Sequence, residues 1–168
     1  FHASHNGTLI CPFTVRIHAF SGRPDLRVFH TFVFDQNPEH LEFSEVGMCF
    51  PLDLGDDLRM AFGGEEKAHW ASQWRRAELL QSSDIAYKVS RDGESYGEGK
   101  KNRGWATLTG DHGSAFVAVR DFWQQYPKGY ELTQSGMNVQ LWPSSCGEPL
   151  VYHTPWRERP VYFSGQFG

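Results

Sequence analysis

The densest set of chemically useful side chains lies in one short run, Arg120-Asp121-Phe122-Trp123-Gln124-Gln125-Tyr126-Pro127-Lys128. It follows an apolar predicted strand, and loops after strands are where rigid scaffolds present binding groups. A guanidinium such as that of Arg120 grips a carboxylate through two parallel N–H···O bonds. Trp123 or Tyr126 offers a flat ring for a sugar to stack on, and Lys128 adds positive charge. The substrate-binding candidates are therefore Arg120, Asp121, Trp123, Tyr126 and Lys128, and the partner they suit is an acidic polysaccharide or oligosaccharide. A structural reading stands beside it, with Arg120 paired to Asp121 and the two rings packed under a loop.

Other chemistries find less support. The histidines are scattered: His18 and His30 fall on neighbouring predicted strands, whereas His69, His112 and His153 fall in predicted loops. Without HxH or HExxH spacing no metal is expected. Cys11, Cys49 and Cys146 form no CxxC pair, which leaves open either one disulfide with a cysteine over or three ordinary thiols. No nucleophile elbow, phosphate loop or dinucleotide fingerprint occurs, so no cofactor is expected. Sixteen basic against twenty acidic residues give a net charge of −4, which argues against nucleic acid as a partner. No apolar run approaches the roughly 20 residues that span a bilayer, so no membrane partner is expected and the chain reads as soluble.

The elements that must position these residues are strands. Residues 13–20 alternate apolar and polar, with Phe13, Val15 and Ile17 expected inward and Arg16 and His18 outward. A Ser21-Gly22-Arg23-Pro24 turn leads into a second strand over residues 26–34, making a hairpin. The phase of alternation slips between Phe43 and Val46, which predicts a β-bulge near Ser44-Glu45. Further strands are expected at Leu58–Phe62, at Ile85–Val89 before the Arg91-Asp92-Gly93 turn, on both sides of Thr109-Gly110-Asp111-His112-Gly113, and at Met137–Leu141. Residues 68–81 read as a helical turn or an aromatic loop. Residues 92–103, with the basic run Lys100-Lys101-Asn102-Arg103, read as an exposed loop or long hairpin connection. The fold class is all-β: an antiparallel β-sandwich in one domain over residues 1–168, with an extended, Pro- and aromatic-rich tail over 145–168 wrapping the sheet. Val15, Ile17, Val28, Phe32, Ile85, Val117, Val119, Val139 and Leu141 are the expected core.

Three stretches together resemble a known family. They are Phe13-Thr14-Val15-Arg16-Ile17-His18-Ala19-Phe20-Ser21-Gly22 running into Val28-Phe29-His30-Thr31-Phe32-Val33-Phe34, then Phe62-Gly63-Gly64-Glu65-Glu66, then residues 119–128 with Val139-Gln140-Leu141-Trp142-Pro143. In order and spacing they are similar to the central β-sandwich domain of the exo-rhamnogalacturonan lyase (YetA-like) family, polysaccharide lyase family 26, over roughly residues 10–145.

The resemblance implies a multidomain protein in which an all-β region precedes a helical toroid. It also implies a substrate, rhamnogalacturonan, the pectin polymer of alternating rhamnose and galacturonate. Elimination from a uronate takes the proton at C5, so it needs a cation or proton donor on the carboxylate and a base nearby. Arg120, Lys128, Tyr126 and His30 are of suitable types, but the resemblance assigns no catalytic residue. The sequence is expected to stop before the helical part, and the expectation is a domain that binds or scaffolds an acidic polysaccharide and is not catalytic alone. Within a full-length enzyme it would serve a polysaccharide lyase. Two alternatives stand: a self-associating structural β-domain joined through sheet edges into a homo-oligomer, and a free-standing carbohydrate-binding module. The first residues, Phe1-His2-Ala3-Ser4-His5, lack the look of an export leader, and the expected location is extracellular or periplasmic with the signal outside this chain.

Overall fold

A computed structural model of the chain describes residues 2–4, 6–37, 40–72 and 74–151. Every strand pair in it is antiparallel. Two compact units emerge, residues 1–43 with 150–168, and residues 44–149.

The first unit contains strands β1 (His2–Ala3), β2 (Leu9–Ile10), β3 (Phe13–Ala19), β4 (Leu26–Phe32) and β5 (Glu42–Phe43). β3 and β4 form the expected hairpin, in register from Phe13 opposite Phe32 to Ala19 opposite Leu26. Its turn is held by an Arg23–Asp25 ion pair at 2.7 Å and by the Arg23 N–H donating to the Phe20 carbonyl at 3.2 Å. The inward expectation for this hairpin is corrected, since Val15 is 42% and Ile17 62% exposed. They share a face with His30 and Phe32, and among the described residues it is the end carrying Phe13, His30 and Phe32 that packs against the ring of His2. Nor do His18 and His30 approach one another: His18 packs on Phe29 and His30 on His2, on opposite faces of the ribbon.

The second unit is the sandwich. It comprises β6 (Val46–Pro51), β7 (Arg59–Phe62), β8 (His69–Ser72), β9 (Arg76–Ser83), β10 (Ala86–Arg91), β11 (Glu94–Gly99), β12 (Trp105–Gly110), β13 (Gly113–Ala118), β14 (Lys128–Thr133) and β15 (Gly136–Trp142). A six-stranded sheet runs β11-β10-β9-β14-β15-β6, and a four-stranded sheet runs β13-β12-β7-β8. Among the described residues the helical content is one 3-10 turn, Ser144–Cys146. A last strand, β16 (Leu150–Val151), pairs with β5 in the first unit.

Register explains the core. Val89, Leu79, Tyr130 and Val139 lie opposite one another across four strands, and all are buried. Ala77, Leu132 and Met137 make the next row, while the facing sheet contributes Met60, Phe62, Ala106 and Leu108. Phe62 stacks on Tyr130 with ring centroids 6.5 Å apart. Of the expected core residues, Val119, Val139 and Leu141 are buried, whereas Val28, Phe32 and Val117 are half-buried. Ile85 is 62% exposed, because it sits in the turn before β10.

Three further expectations are corrected. Residues 68–81 hold β8 and the start of β9, so His69 is on a strand. The inward positions of β9 are Ala77, Leu79 and Gln81, and a small and a polar residue among them hide the alternation. Residues 92–103 contain the edge strand β11, whose Gly97 and Gly99 pass so close to His69 and Tyr87 that an added Cβ would lie 2.5 Å from each ring. Near Ser44-Glu45 there is no bulge: β5 ends and β6 begins there in a different sheet, and the register shift falls on the partner strand between Gln140 and Trp142. The Asp92-Gly93 turn is as expected, with positive φ at both residues, 52° and 86°. The Asp92 carboxylate accepts the Arg75 and Arg76 N–H groups at 2.8 and 2.9 Å, which holds its pKa below the usual range. Beyond Val151, the tail lies outside the described residues.

Candidate functional site

Two loops at one end of the sandwich build the site, residues 100–104 between β11 and β12 and residues 119–127 between β13 and β14. The first is stapled from beneath by two buried side chains. The Gln81 amide donates to the carbonyls of Ser83 at 2.6 Å and Lys100 at 2.7 Å, and its oxygen accepts the Asn102 N–H at 2.9 Å. The Asn102 amide donates in turn to the Gly63 carbonyl, and its oxygen accepts the Gly104 N–H at 2.8 Å. An interior amide of this kind persists because its polar atoms are satisfied.

The second loop docks on the first at Gly104. The Gly104 carbonyl accepts both the Val119 N–H at 2.8 Å and the Tyr130 hydroxyl at 2.6 Å. Gly104 has φ +70°, and a Cβ there would stand 2.3 Å from that of Phe122. Phe122 itself is buried, stacked on Tyr130 at 5.0 Å with planes 9° apart. Burial pushes the Tyr130 hydroxyl pKa up. The chain then turns through Asp121, at φ 52°, with the Gln125 N–H donating to the Asp121 carbonyl at 2.9 Å.

This anchoring places four of the residues singled out in the sequence, Arg120, Asp121, Trp123 and Tyr126, on one held loop. Arg120 is exposed and its Nε lies 3.5 Å from the Asp121 carboxylate. Trp123 is half-buried beneath Lys101, whose Nζ is 4.3 Å from the ring centroid. Tyr126 is 41% exposed. Arg103 and Arg120 flank the Gly104–Val119 hydrogen bond, and both are exposed. Lys128 stands apart. It begins β14, opposite Gln81, at 1% exposure, and burial lowers its pKa to about 8. Its place is beneath the loops, away from their outer face.

Lys101 and Arg103 were absent from the set of site residues, although the run Lys100-Lys101-Asn102-Arg103 signalled them. What sequence could not show is that Asn102 turns inward and pins that run beside Trp123. A second polar pair, His69 Nε2 and the Tyr87 hydroxyl at 3.0 Å, has side chains suited to proton transfer. Burial lowers the His69 pKa and raises that of Tyr87, which is enclosed with Gly97 and Gly99 against the two rings. That closure leaves the pair a structural one. Among the described residues, no group of three or more His, Cys, Asp or Glu side chains could hold a metal ion.

The model of the family described as the PcRGLX-like protein central beta sandwich domain matches residues 1–71 and 59–150. The chain belongs to that family. The second match takes in both loops and every strand of the sandwich from β7 to β15. The resemblance read from residues 13–22 with 28–34, 62–66, and 119–128 with 139–143 is thus established: this is a rhamnogalacturonan lyase-like β-sandwich domain. No curated protein matches the sequence.

Proposed function

We propose that this central β-sandwich domain binds an acidic polysaccharide on the outer face of its two anchored loops. The observation that carries the reading is the gathering of Lys101, Arg103 and Arg120 with the rings of Trp123 and Tyr126 on loops whose backbones are held by buried hydrogen bonds. Cations on a fixed frame can meet a uronate carboxylate without first being ordered, so less of the binding energy goes into immobilising loops. Lys101 covers one side of the Trp123 ring and brings positive charge to it, while Tyr126 leaves ring surface free. Asp121 is the acid of the cluster; it orients Arg120 at 3.5 Å and can accept a sugar hydroxyl.

Calorimetric titration with an oligogalacturonide tests this. The wild type should bind with an affinity that falls as salt rises, and Arg120→Ala should weaken binding about tenfold through loss of one charge-assisted contact. Arg120 is exposed, so thermal stability should not change. No binding by the wild type, or equal binding by the variant, would overturn the proposal.

A second reading, association of copies through sheet edges, is favoured by the β3–β4 hairpin. In the described residues it is a two-stranded sheet with exposed Val15, Ile17 and Leu26. A hairpin with unpaired edges is a template for strand addition. Sedimentation across a concentration series tests it, and a monomer at every concentration would remove it.

A further inference from the structure

The outer surface of the four-stranded sheet holds a second arrangement, away from the loop face. In β7 and β8, Met60, Phe62 and Ala71 turn inward, so Arg59, Trp70 and Ser72 turn out. Trp70 lies on the edge strand and is 61% exposed. Its cross-strand neighbour on that face is Ala61, a side chain too small to cover an indole. Arg59 lies opposite Ser72, diagonal to Trp70. Together with Asp57, Leu58 and Ala71 these residues line an open groove of about 490 Å³. That volume falls within the roughly 300–1,000 Å³ usual for small-ligand sites.

The chemistry of the groove is narrow. A large exposed indole rimmed by hydrogen-bonding side chains stacks on the C–H face of a pyranose while the rim engages its hydroxyls. Arg59 donates in a planar fork, Asp57 accepts, and Ser72 does either. One cation and one anion cancel, so the groove holds no net charge with which to select a carboxylate. A protein partner would need a contiguous apolar patch, whereas on this face the exposed rings of Trp70 and Phe116 are separated by Ala61 and the polar Thr107, and at the groove Trp70 is bordered by Arg59, Asp57 and Ser72. We propose that this groove is a binding subsite for an uncharged pyranose unit of a saccharide chain. It stands on Trp70 and its neighbours and does not depend on the loop face binding uronates.

The test is an NMR titration of the ¹⁵N-labelled chain, which resolves each indole N–H separately. The probes are cellotetraose, galactotetraose and xylotetraose, with trigalacturonate run in parallel. At least one neutral oligosaccharide should shift the Trp70 indole and the Arg59 and Ser72 amides saturably. Trp70→Ala should weaken that binding about tenfold or more, and Arg59→Ala, which leaves the ring in place, should weaken it in the same direction. Both side chains point to solvent, so melting temperatures should match the wild type. Arg120→Ala should leave the Trp70 titration unchanged, which keeps this result separate from the fate of the loop-face reading at Trp123. No saturable shift with any neutral probe, undiminished binding by Trp70→Ala, or a groove that answers to trigalacturonate alone would overturn the assignment.

Discussion

Lys128 makes the stability of this domain rise with pH over a defined window. Burial of its ammonium lowers the pKa from 10.5 to about 8. The unfolded chain therefore holds this proton more tightly than the folded one, and below pH 8 the folded state bears the net cost of burying the ammonium. As pH climbs from about 8 towards 10.5 the folded lysine loses its proton first, and the cost is relieved. With these two values, linkage gives a gain of about 2 kcal/mol between pH 8 and pH 10, roughly a thirtyfold change in the folding equilibrium. Tyr130 and Tyr87, whose pKa values burial raises, work the other way: their contribution is whole below about pH 10 and fades above it. Comparison with Lys128→Met cancels them. Urea unfolding of both proteins at intervals from pH 7 to pH 10 should show the wild type gaining about 2 kcal/mol on the variant. Parallel profiles, or a wild type that loses ground, would mean that the ammonium is stabilised in place and that desolvation does not govern it.

Two further substitutions probe the anchor of the loops. Gly104→Ala places a methyl group 2.3 Å from the Phe122 Cβ at a backbone φ of +70°. It should cost about 3 kcal/mol or more in a thermal melt, and a loss under about 1 kcal/mol would show that the loops part easily. Asn102→Ala removes the partners of the Gly63 carbonyl and the Gly104 N–H while leaving the Asn102 N–H on Gln81. A cost of about 2–3 kcal/mol is expected, and a neutral result would mean that water replaces the amide.

The hairpin over residues 13–32 was legible because both strands are rich in β-formers and the turn between them carries Gly22 and Pro24. Alternation, however, tells which residues share a face and not whether anything covers that face, and so Val15 and Ile17 were expected inside. β9 and β11 were hidden for the opposite reason. Their inward positions are filled by Ala77, Gln81, Gly97 and Gly99, selected by close approach and hydrogen bonding, which leave no hydrophobic period. At the site, the chemical types in residues 120–128 could be read locally. The partners Lys101 and Arg103 could not, because their proximity depends on Asn102 and Gln81, 21 positions apart, meeting in the interior. Lys128 shows the same limit from the other side: a cation at a strand start looks exposed until the loops above it are in place.

The Gly104 carbonyl spends its lone pairs on two donors from different parts of the chain, Val119 and Tyr130. Backbone and buried rings thus hold the two loops together at their base, and at the tips the Lys101–Trp123 contact is added to them. Arg103, Arg120 and Tyr126 are exposed, and exchanging them should leave that joint in place. The architecture separates where a ligand is met from what ligand is met, and a library randomised at those three positions should yield folded domains with altered charge and altered glycan preference.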